Sequence, residues 1–270
     1  MTKAVMVARI DVANRRLERK EDIVAKEVPL HVFLGAVHFV SFLCSPTLLK
    51  EMVIGHLLTE GVVCSVDEVI TVDFDSENRC FVTLRKTDMG EHVILAKPFA
   101  QLIVSACGGA GYRSLSELLD SVELKPLPTW QVDVKTILEG VRRLNTLADV
   151  FRKTGGVHVA ALFNRGGKLV VLAEDVGRHN AVDKVIGAAA LSDRDLGECF
   201  LALSGRLSGD IVLKAVRAGV PVVTSLAAAV DSGIVVAEKA GATLLGFVRG
   251  NRMNVYADVG RVSFERRIGR

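Results

Sequence analysis

The feature that most restricts the fold is a regular exchange of short apolar runs and helix-like segments through the second half of the chain. Apolar runs at 156–163, 168–173, 199–204, 221–225 and 242–248 have the length and β-branched content of strands. Helix-patterned segments at 181–191, 210–218 and 232–240 lie between them, and a longer one at 133–151 precedes them. Two strands followed by alternating helix and strand predict a layered α/β structure with a mostly parallel sheet. The first two strands join through Asn164-Arg165-Gly166-Gly167, a hairpin connection. That makes the sheet mixed and departs from a Rossmann order.

The first half reads differently. Residues 29–44 form two short strands with a turn near Gly35, and Ser45-Pro46 opens a helix over 47–59 that stops at Gly61. Strands follow at 68–72, 80–84 and 92–96. A further apolar run, 101–106, ends in the loop Cys107-Gly108-Gly109-Ala110-Gly111, and Ser114-x-x-Glu117 is a capping box for a helix to about 121. Two prolines interrupt the pattern at 123–130. The expected division is a smaller α+β domain, 1–127, and a larger α/β domain, 128–270.

Composition narrows the function. Half of the 270 residues are hydrophobic, so disorder is excluded, and only 5% are aromatic, so Val, Leu, Ala and Ile must fill the core. A net charge of +3 gives no footprint of a nucleic-acid or membrane-surface protein. The most apolar region, 218–248, is cut by Asp231, Glu238 and Lys239, and residues 1–20 alternate basic and apolar residues without a signal peptide's apolar stretch. Five cysteines, at 44, 64, 80, 107 and 199, contain no Cys-x-x-Cys pair. Such a scattered, odd set argues against a disulfide framework or zinc ribbon and for the reducing cytoplasm.

Two groups of residues could carry chemistry. Cys107 stands where an apolar run gives way to glycines that expose a thiol and let the loop move, with Arg113 or a more distant arginine to stabilise a thiolate. A buried small hydrophobe in a tight turn is the other reading of the same residue. Cys44, Cys64, Cys80 and Cys199 lie in or at the end of apolar runs and read as structural. The second group is three loops just past strand ends: Glu174-Asp175-Val176-Gly177-Arg178-His179-Asn180, Ser204-Gly205-Arg206-Leu207-Ser208-Gly209-Asp210 and Arg249-Gly250-Asn251-Arg252. In a parallel sheet these ends share an edge, two of the loops lead into helices, and arginine forks suit phosphate. Ordinary solvated turns remain the alternative. No G-x-G-x-x-G, Walker A loop or G-x-S-x-G elbow is present. His158, inside a strand, reads as packed. Adjacent Glu174 and Asp175 would point to opposite faces, so no acid–base pair is expected, and one of them reads as anchoring a loop or binding a base edge or a hydroxyl.

The stretch EDVGRHNAVDKVIG at 174–187 closely resembles the signature of the FdhD/NarQ family of formate dehydrogenase accessory sulfurtransferases. GHLLTEGVV from Gly55, TGGVHVAAL from Thr154, SGRLSGDIVLKA from Ser204, AGVPVVTSLAA from Ala218 and GFVRGNRMNVY from Gly246 agree in order. The resemblance covers about 27–257.

It implies a sulfur carrier that takes persulfide sulfur from a cysteine desulfurase and passes it to the molybdenum (or tungsten) bis-guanine-dinucleotide cofactor of formate dehydrogenase. Cys107 falls at the family's sulfur-bearing position. Phe247, Val248, Arg249, Gly250, Asn251 and Arg252 fall where the family binds the guanine dinucleotide, and GDP-like ligands are expected to bind. Arg206 and Gly177 to Asn180 complete the expected cofactor set. The resemblance also implies a cytidine-deaminase-like three-layer C-terminal domain, but H-x-E with P-C-x-x-C is absent, so neither deaminase chemistry nor a resident metal is expected. The family's loop typically carries Cys-x-x-Cys, whereas Ala110 occupies the second position here. A single thiolate suffices for a persulfide relay. Without it, the chain would be a cofactor-binding chaperone that moves no sulfur. A homodimer is expected, with no nucleic-acid or membrane partner.

Overall fold

The computed structural model describes residues 1–85, 124 and 126–264. The strands expected at 92–96 and 101–106, the Cys107 loop, Arg113 and the helix at 114–121 lie outside the described residues.

The chain opens with a two-stranded antiparallel ribbon, β1 (Thr2–Asp11) and β2 (Arg16–Ala25). The basic–apolar alternation of residues 1–20 is a strand pattern. Strands β3 (Val28–Leu34), β4 (Val37–Cys44), β5 (Val69–Phe74) and β6 (Arg79–Leu84) form a separate sheet in the order β4-β3-β6-β5. Its inner face, Leu30, Val32, Leu34, Cys80 and Val82, packs on Met52, Val53 and Leu57 of α1 (Leu49–Thr59). That helix starts two residues later than the sequence suggests. Leu48 takes the left-handed conformation at φ 51°, and Ser45 is not its cap. Ser45 is instead bonded to the far half of the chain: its amide donates to Asp175 Oδ2 at 2.9 Å, and its carbonyl accepts from Lys184 Nζ at 2.9 Å.

The second half is built on a six-stranded sheet of order β13-β12-β11-β10-β8-β9. Its members are β8 (His158–Asn164), β9 (Leu169–Asp175), β10 (Cys199–Leu203), β11 (Val222–Ser225), β12 (Thr243–Arg249) and β13 (Arg252–Ala257). Only β10/β11 and β11/β12 pair in parallel. The sheet is mixed, as expected, but not mostly parallel by pairing, because β8 lies antiparallel between β9 and β10 and β13 returns along β12. Strands β9 to β12 nonetheless all point one way. Alternating residues serve two faces. Ala160, Leu162, Leu201, Leu203, Val223 and Leu244 meet α4 (Arg178–Leu191), α5 (Gly209–Arg217) and α6 (Asp231–Ala240), while Val159, Ala161, Phe163, Phe200, Ala202, Val222 and Leu245 meet α2 (Val134–Leu147). The result is three layers.

The single helix expected at 133–151 is two. Asp133 caps α2 by accepting from the Lys135 amide at 2.8 Å, and the chain breaks at Ala148 before α3 (Asp149–Thr154). The break is set from outside the segment. Glu174 Oε1 accepts from the Phe151 amide at 2.6 Å and Oε2 from Val150 at 3.2 Å, satisfying donors that a new helix start leaves free. Two-residue strands β7 (Val132–Asp133) and β14 (Val262–Ser263) pair in parallel.

Helix α1 lies directly across α4, joining the two halves. Lys214 Nζ sits 3.0 Å from Asp183 Oδ1 and 2.8 Å from Glu60 Oε1, and Asp183 also accepts from Thr59 Oγ1 at 2.8 Å and lies 3.1 Å from His56 Nδ1. Burial works against every charge in this cluster. The lysine facing two carboxylates outweighs it, holding Asp183 and Glu60 below their ordinary values and Lys214 above its own. Among the described residues no helix is long and apolar enough to cross a membrane.

Candidate functional site

The carboxyl ends of β9, β10, β11 and β12 share one edge of the central sheet, where β8 and β13 begin. Its foundation is Asp175, fully buried at the end of β9. Lys184 Nζ lies 2.5 Å from Oδ2, and Oδ1 accepts from the Gly177 amide and Asn180 Nδ2, both at 2.9 Å. These bonds fix Gly177 as the residue before α4. Arg178 and His179 then occupy its first turn, at the positive end of the helix dipole.

Arg178 is the most telling side chain here. Its Nη2 is 4.0 Å from Asp210 Oδ2, while its Nε is buried and has no hydrogen-bond partner among the described residues. An orphaned buried donor on a cation is costly, and such sites are where a ligand's acceptor belongs. Beside it, His179 Nε2 bonds Asp210 Oδ2 from the first turn of α5, and Ser208 Oγ donates to Asp210 Oδ1. Although burial opposes its charge, these bonds and the Ile211 amide hold the Asp210 carboxyl well below the usual carboxylate range.

Gly205 closes the gap between Arg178 and β8. A Cβ there would stand 3.2 Å from Arg178 Cβ and 3.4 Å from His158 Nδ1. Next to it, Ser204 Oγ accepts from the Val159 amide at 2.9 Å and lies 3.4 Å from His158 Nδ1. Burial, then the neighbouring charges of Arg178 and His179, push His158 below its ordinary value and keep it neutral. Arg206 is exposed. Ser225 Oγ donates to Gly205 O at 2.6 Å and accepts from the Ala227 amide at 3.0 Å, tying this loop to the end of β11.

The third loop joins through Ala227, whose carbonyl accepts from the Phe247 amide at 2.9 Å. Phe247 has φ 51°, a left-handed bulge in a bulky residue, and the register shifts there. The hairpin tip that follows sets Arg249 directly opposite Arg252. Like charges so placed repel, and an anion between them removes the repulsion. Arg249 Cζ stands 5.3 Å over the Phe247 ring, and Arg142 Nη2 fixes the turn by donating to Gly250 O and Asn251 Oδ1, both at 2.7 Å.

The predicted residues therefore divide. Gly177, Arg178 and His179 sit together, exposed Arg206 follows the Gly205 that packs on Arg178, and Arg249, Gly250, Asn251 and Arg252 share their edge farther along. The end of β12 is four strand positions from that of β9, about 19 Å at the usual spacing. Val248 is buried against α2, and Asn180 is buried with its amide spent on Asp175 and on Leu43 O at 3.0 Å, so both build the scaffold. His158, read from sequence as packed, stands at the edge. Ser204 and Asp210 were not singled out, although both lie inside the glycine-flanked 204–210 loop. Glu174 and Asp175 point to opposite faces, as expected, and both of them, not one, anchor backbone amides. Cys107 lies outside the described residues. Burial pushes the thiols of Cys44 and Cys199 up to about 11 and that of Cys80 up to about 12, and Cys64 is exposed.

Known proteins resemble this chain along nearly its whole length. Residues 25–263 match the FdhD/NarQ family. A sulfur carrier protein FdhD of Sulfolobus acidocaldarius is 37% identical over 249 residues, which cover 90% of this chain and 92% of that protein. The protein of the same name from Methanothermobacter thermautotrophicus is 34% identical, covering 94% of this chain and 96% of the relative. In shape the chain matches the crystal structure of a candidate formate dehydrogenase accessory protein from Desulfotalea psychrophila, with a TM-score of 0.78 and 26% identity over 97% of this chain and 99% of that one. The mixed α/β chain, with arginines along one edge of its central sheet, belongs to the FdhD/NarQ family.

Proposed function

We propose that this chain is a cytoplasmic sulfur carrier serving formate dehydrogenase. Cys107 receives sulfur as a persulfide from a cysteine desulfurase. The sheet edge meanwhile holds the acceptor, the molybdenum (or tungsten) bis-guanine-dinucleotide cofactor, by its anionic tail. In this reading the smaller domain, 1–127, presents Cys107 to the edge of the larger, 128–270, whose three layers take the cytidine-deaminase-like arrangement. The observation that carries the reading is the run of cations along one edge, with Arg178 Nε buried and unpartnered and Arg249 facing Arg252.

The chemistry balances with one thiol. The Cys107 thiolate attacks the outer sulfur of the desulfurase persulfide, a new S–S bond forms, and the desulfurase thiolate leaves. On delivery that bond breaks with its electron pair remaining on Cys107. The released sulfur, at oxidation level zero, is bound by two electrons of the acceptor. Arg178, Arg206, Arg249 and Arg252 orient the acceptor's phosphates, and the N-terminus of α4 adds its dipole.

The direct experiment incubates the chain with a desulfurase and cysteine and follows Cys107 by mass spectrometry. One added sulfur atom there, with loss of formate dehydrogenase maturation in Cys107→Ala, is expected. An unmodified Cys107 together with normal maturation by Cys107→Ala would instead select a cofactor-binding chaperone. The observation that favours that second reading is Ala110, which leaves the loop without a second thiol.

A further inference from the structure

The outer face of the small sheet carries a side-chain cluster that the sheet-edge site does not use. His31 and Ser41 are cross-strand partners on β3 and β4. His38 lies three residues before Ser41, a spacing that puts two side chains on opposite faces of a regular strand. The register shifts between them: Val32 pairs with Val40 but Phe33 pairs with His38, so Phe39 is an extra residue. This bulge turns His38 to the face of His31 and Ser41. His31 Nδ1 then lies 2.7 Å and His38 Nε2 2.8 Å from the same Ser41 Oγ.

A hydroxyl has a single proton, so it donates to one imidazole and must accept an N–H from the other. Two ring nitrogens from adjacent strands are thus aimed at one point. The ring centroids stand 6.4 Å apart, so the approach is bent and not linear, as tetrahedral coordination needs. Phe33 packs edge-on against His38, with centroids 5.3 Å apart, and steadies that ring. Arg79, beside His31 on β6, has its charge met by Asp75 at 2.6 Å and Glu77 at 3.1 Å.

We propose that His31 and His38 form an exchangeable site for a divalent first-row transition ion of the zinc type, with the Ser41 hydroxyl swung aside. Ser41 and His38 are exposed, so the hydroxyl can rotate to solvent and water can complete the coordination. An ion at the Oγ position needs each nitrogen to close by about 0.7 Å to reach the usual Zn–N distance of about 2.0–2.1 Å. Imidazole donors favour zinc, nickel and copper, whereas magnesium and calcium prefer oxygen ligands. The site lies on the small sheet and needs no sulfur chemistry, so its failure would leave the reading above standing.

The chain has six histidines, so their ring resonances can be followed one by one by NMR. Zinc added to the full chain from about 1 μM to 1 mM shifts His31 and His38 together with one midpoint, and magnesium over the same range moves neither. His31→Gln and His38→Gln each raise that midpoint about tenfold or more, since each removes one of two protein ligands. Ser41→Ala keeps it within about threefold of wild type or lowers it, because the hydroxyl competes with the ion for both lone pairs. All three side chains lie on the outer face, and thermal unfolding of each variant stays that of wild type. Neither ring shifting, one shifting without the other, an equal response to magnesium, an unaltered midpoint in either glutamine variant, or loss of the site in Ser41→Ala each overturns the proposal.

Discussion

Gly55 of α1 and Gly187 of α4 meet backbone to backbone: a Cβ on Gly55 would stand 1.8 Å from the Asp183 carbonyl oxygen, and one on Gly187 would stand 1.9 Å from the Glu51 carbonyl oxygen. Neither helix can carry a larger residue there without moving away. This close crossing brings His56, Thr59 and Glu60 of one half within reach of Asp183 and Lys214 of the other.

Gly187→Ala is accordingly expected to cost about 3 kcal/mol or more, since the obstacle is backbone and not a side-chain tip. Urea unfolding measures it. A loss below about 0.5 kcal/mol would show that the helices separate freely.

Lys214→Met leaves two buried carboxylates without their cation, and a loss of about 3–5 kcal/mol at neutral pH follows. The sign of the pH dependence is set by the shifts. Asp183 and Glu60 are held low, so the stability they contribute is full above their ordinary values near 4 and is lost as pH falls through their depressed folded values. Lys214 is held high, so its share is full below about 10.4 and is lost as pH rises through its raised value. Thermal melts of wild type and variant should therefore diverge most between about pH 5 and 10 and converge in acid.

His158 should titrate below its ordinary value of about 6.5 in a proton NMR experiment, first because it is partly buried and next because Arg178 and His179 repel its charge. Arg178→Gln should move its titration upward. Because the unfolded chain binds this proton more readily, the His158 contribution to stability is full above about 6.5 and is lost as pH falls through its lower folded value. An unchanged midpoint in Arg178→Gln would place the two side chains out of electrostatic contact.

Binding of GDP, followed calorimetrically, should weaken about tenfold to a hundredfold in Arg178→Ala and likewise in Arg249→Ala, the usual range for charge-assisted hydrogen bonds. Raising salt should narrow the difference. Equal affinity of both variants and wild type would remove the anion from this edge.

Iodoacetamide at about pH 8 should label Cys64 and spare Cys44, Cys80 and Cys199 until the chain unfolds, since those three are buried and their thiols are pushed far above that pH. Early labelling of Cys80 would contradict the packing of β6 on α1.

The sheet strands from β8 to β12 were readable because each is an apolar run with both faces buried, a pattern that survives without knowledge of neighbours. The β1–β2 ribbon was not, because most of its residues face solvent and its alternation of basic and apolar residues contains no continuous apolar run. The break at Ala148 was equally hidden: its cause, Glu174, acts from the end of another strand. The site was legible in outline, since Arg178, Arg206 and Arg249 sit in glycine-flanked turns after strands. Division of labour within it was not. Asn180 reads from sequence as a cofactor-binding residue, but the arrival of α1 and the β4–α1 turn buries it together with Asp183 and Lys184.

Asp175 receives the amide of Ser45, and Asn180 reaches Leu43, so the turn that aims Arg178 is clamped by residues made more than a hundred positions earlier. A fragment without residues 1–48 would leave that turn unclamped, so the aim of Arg178 is a property of the whole folded chain and not of the central sheet alone.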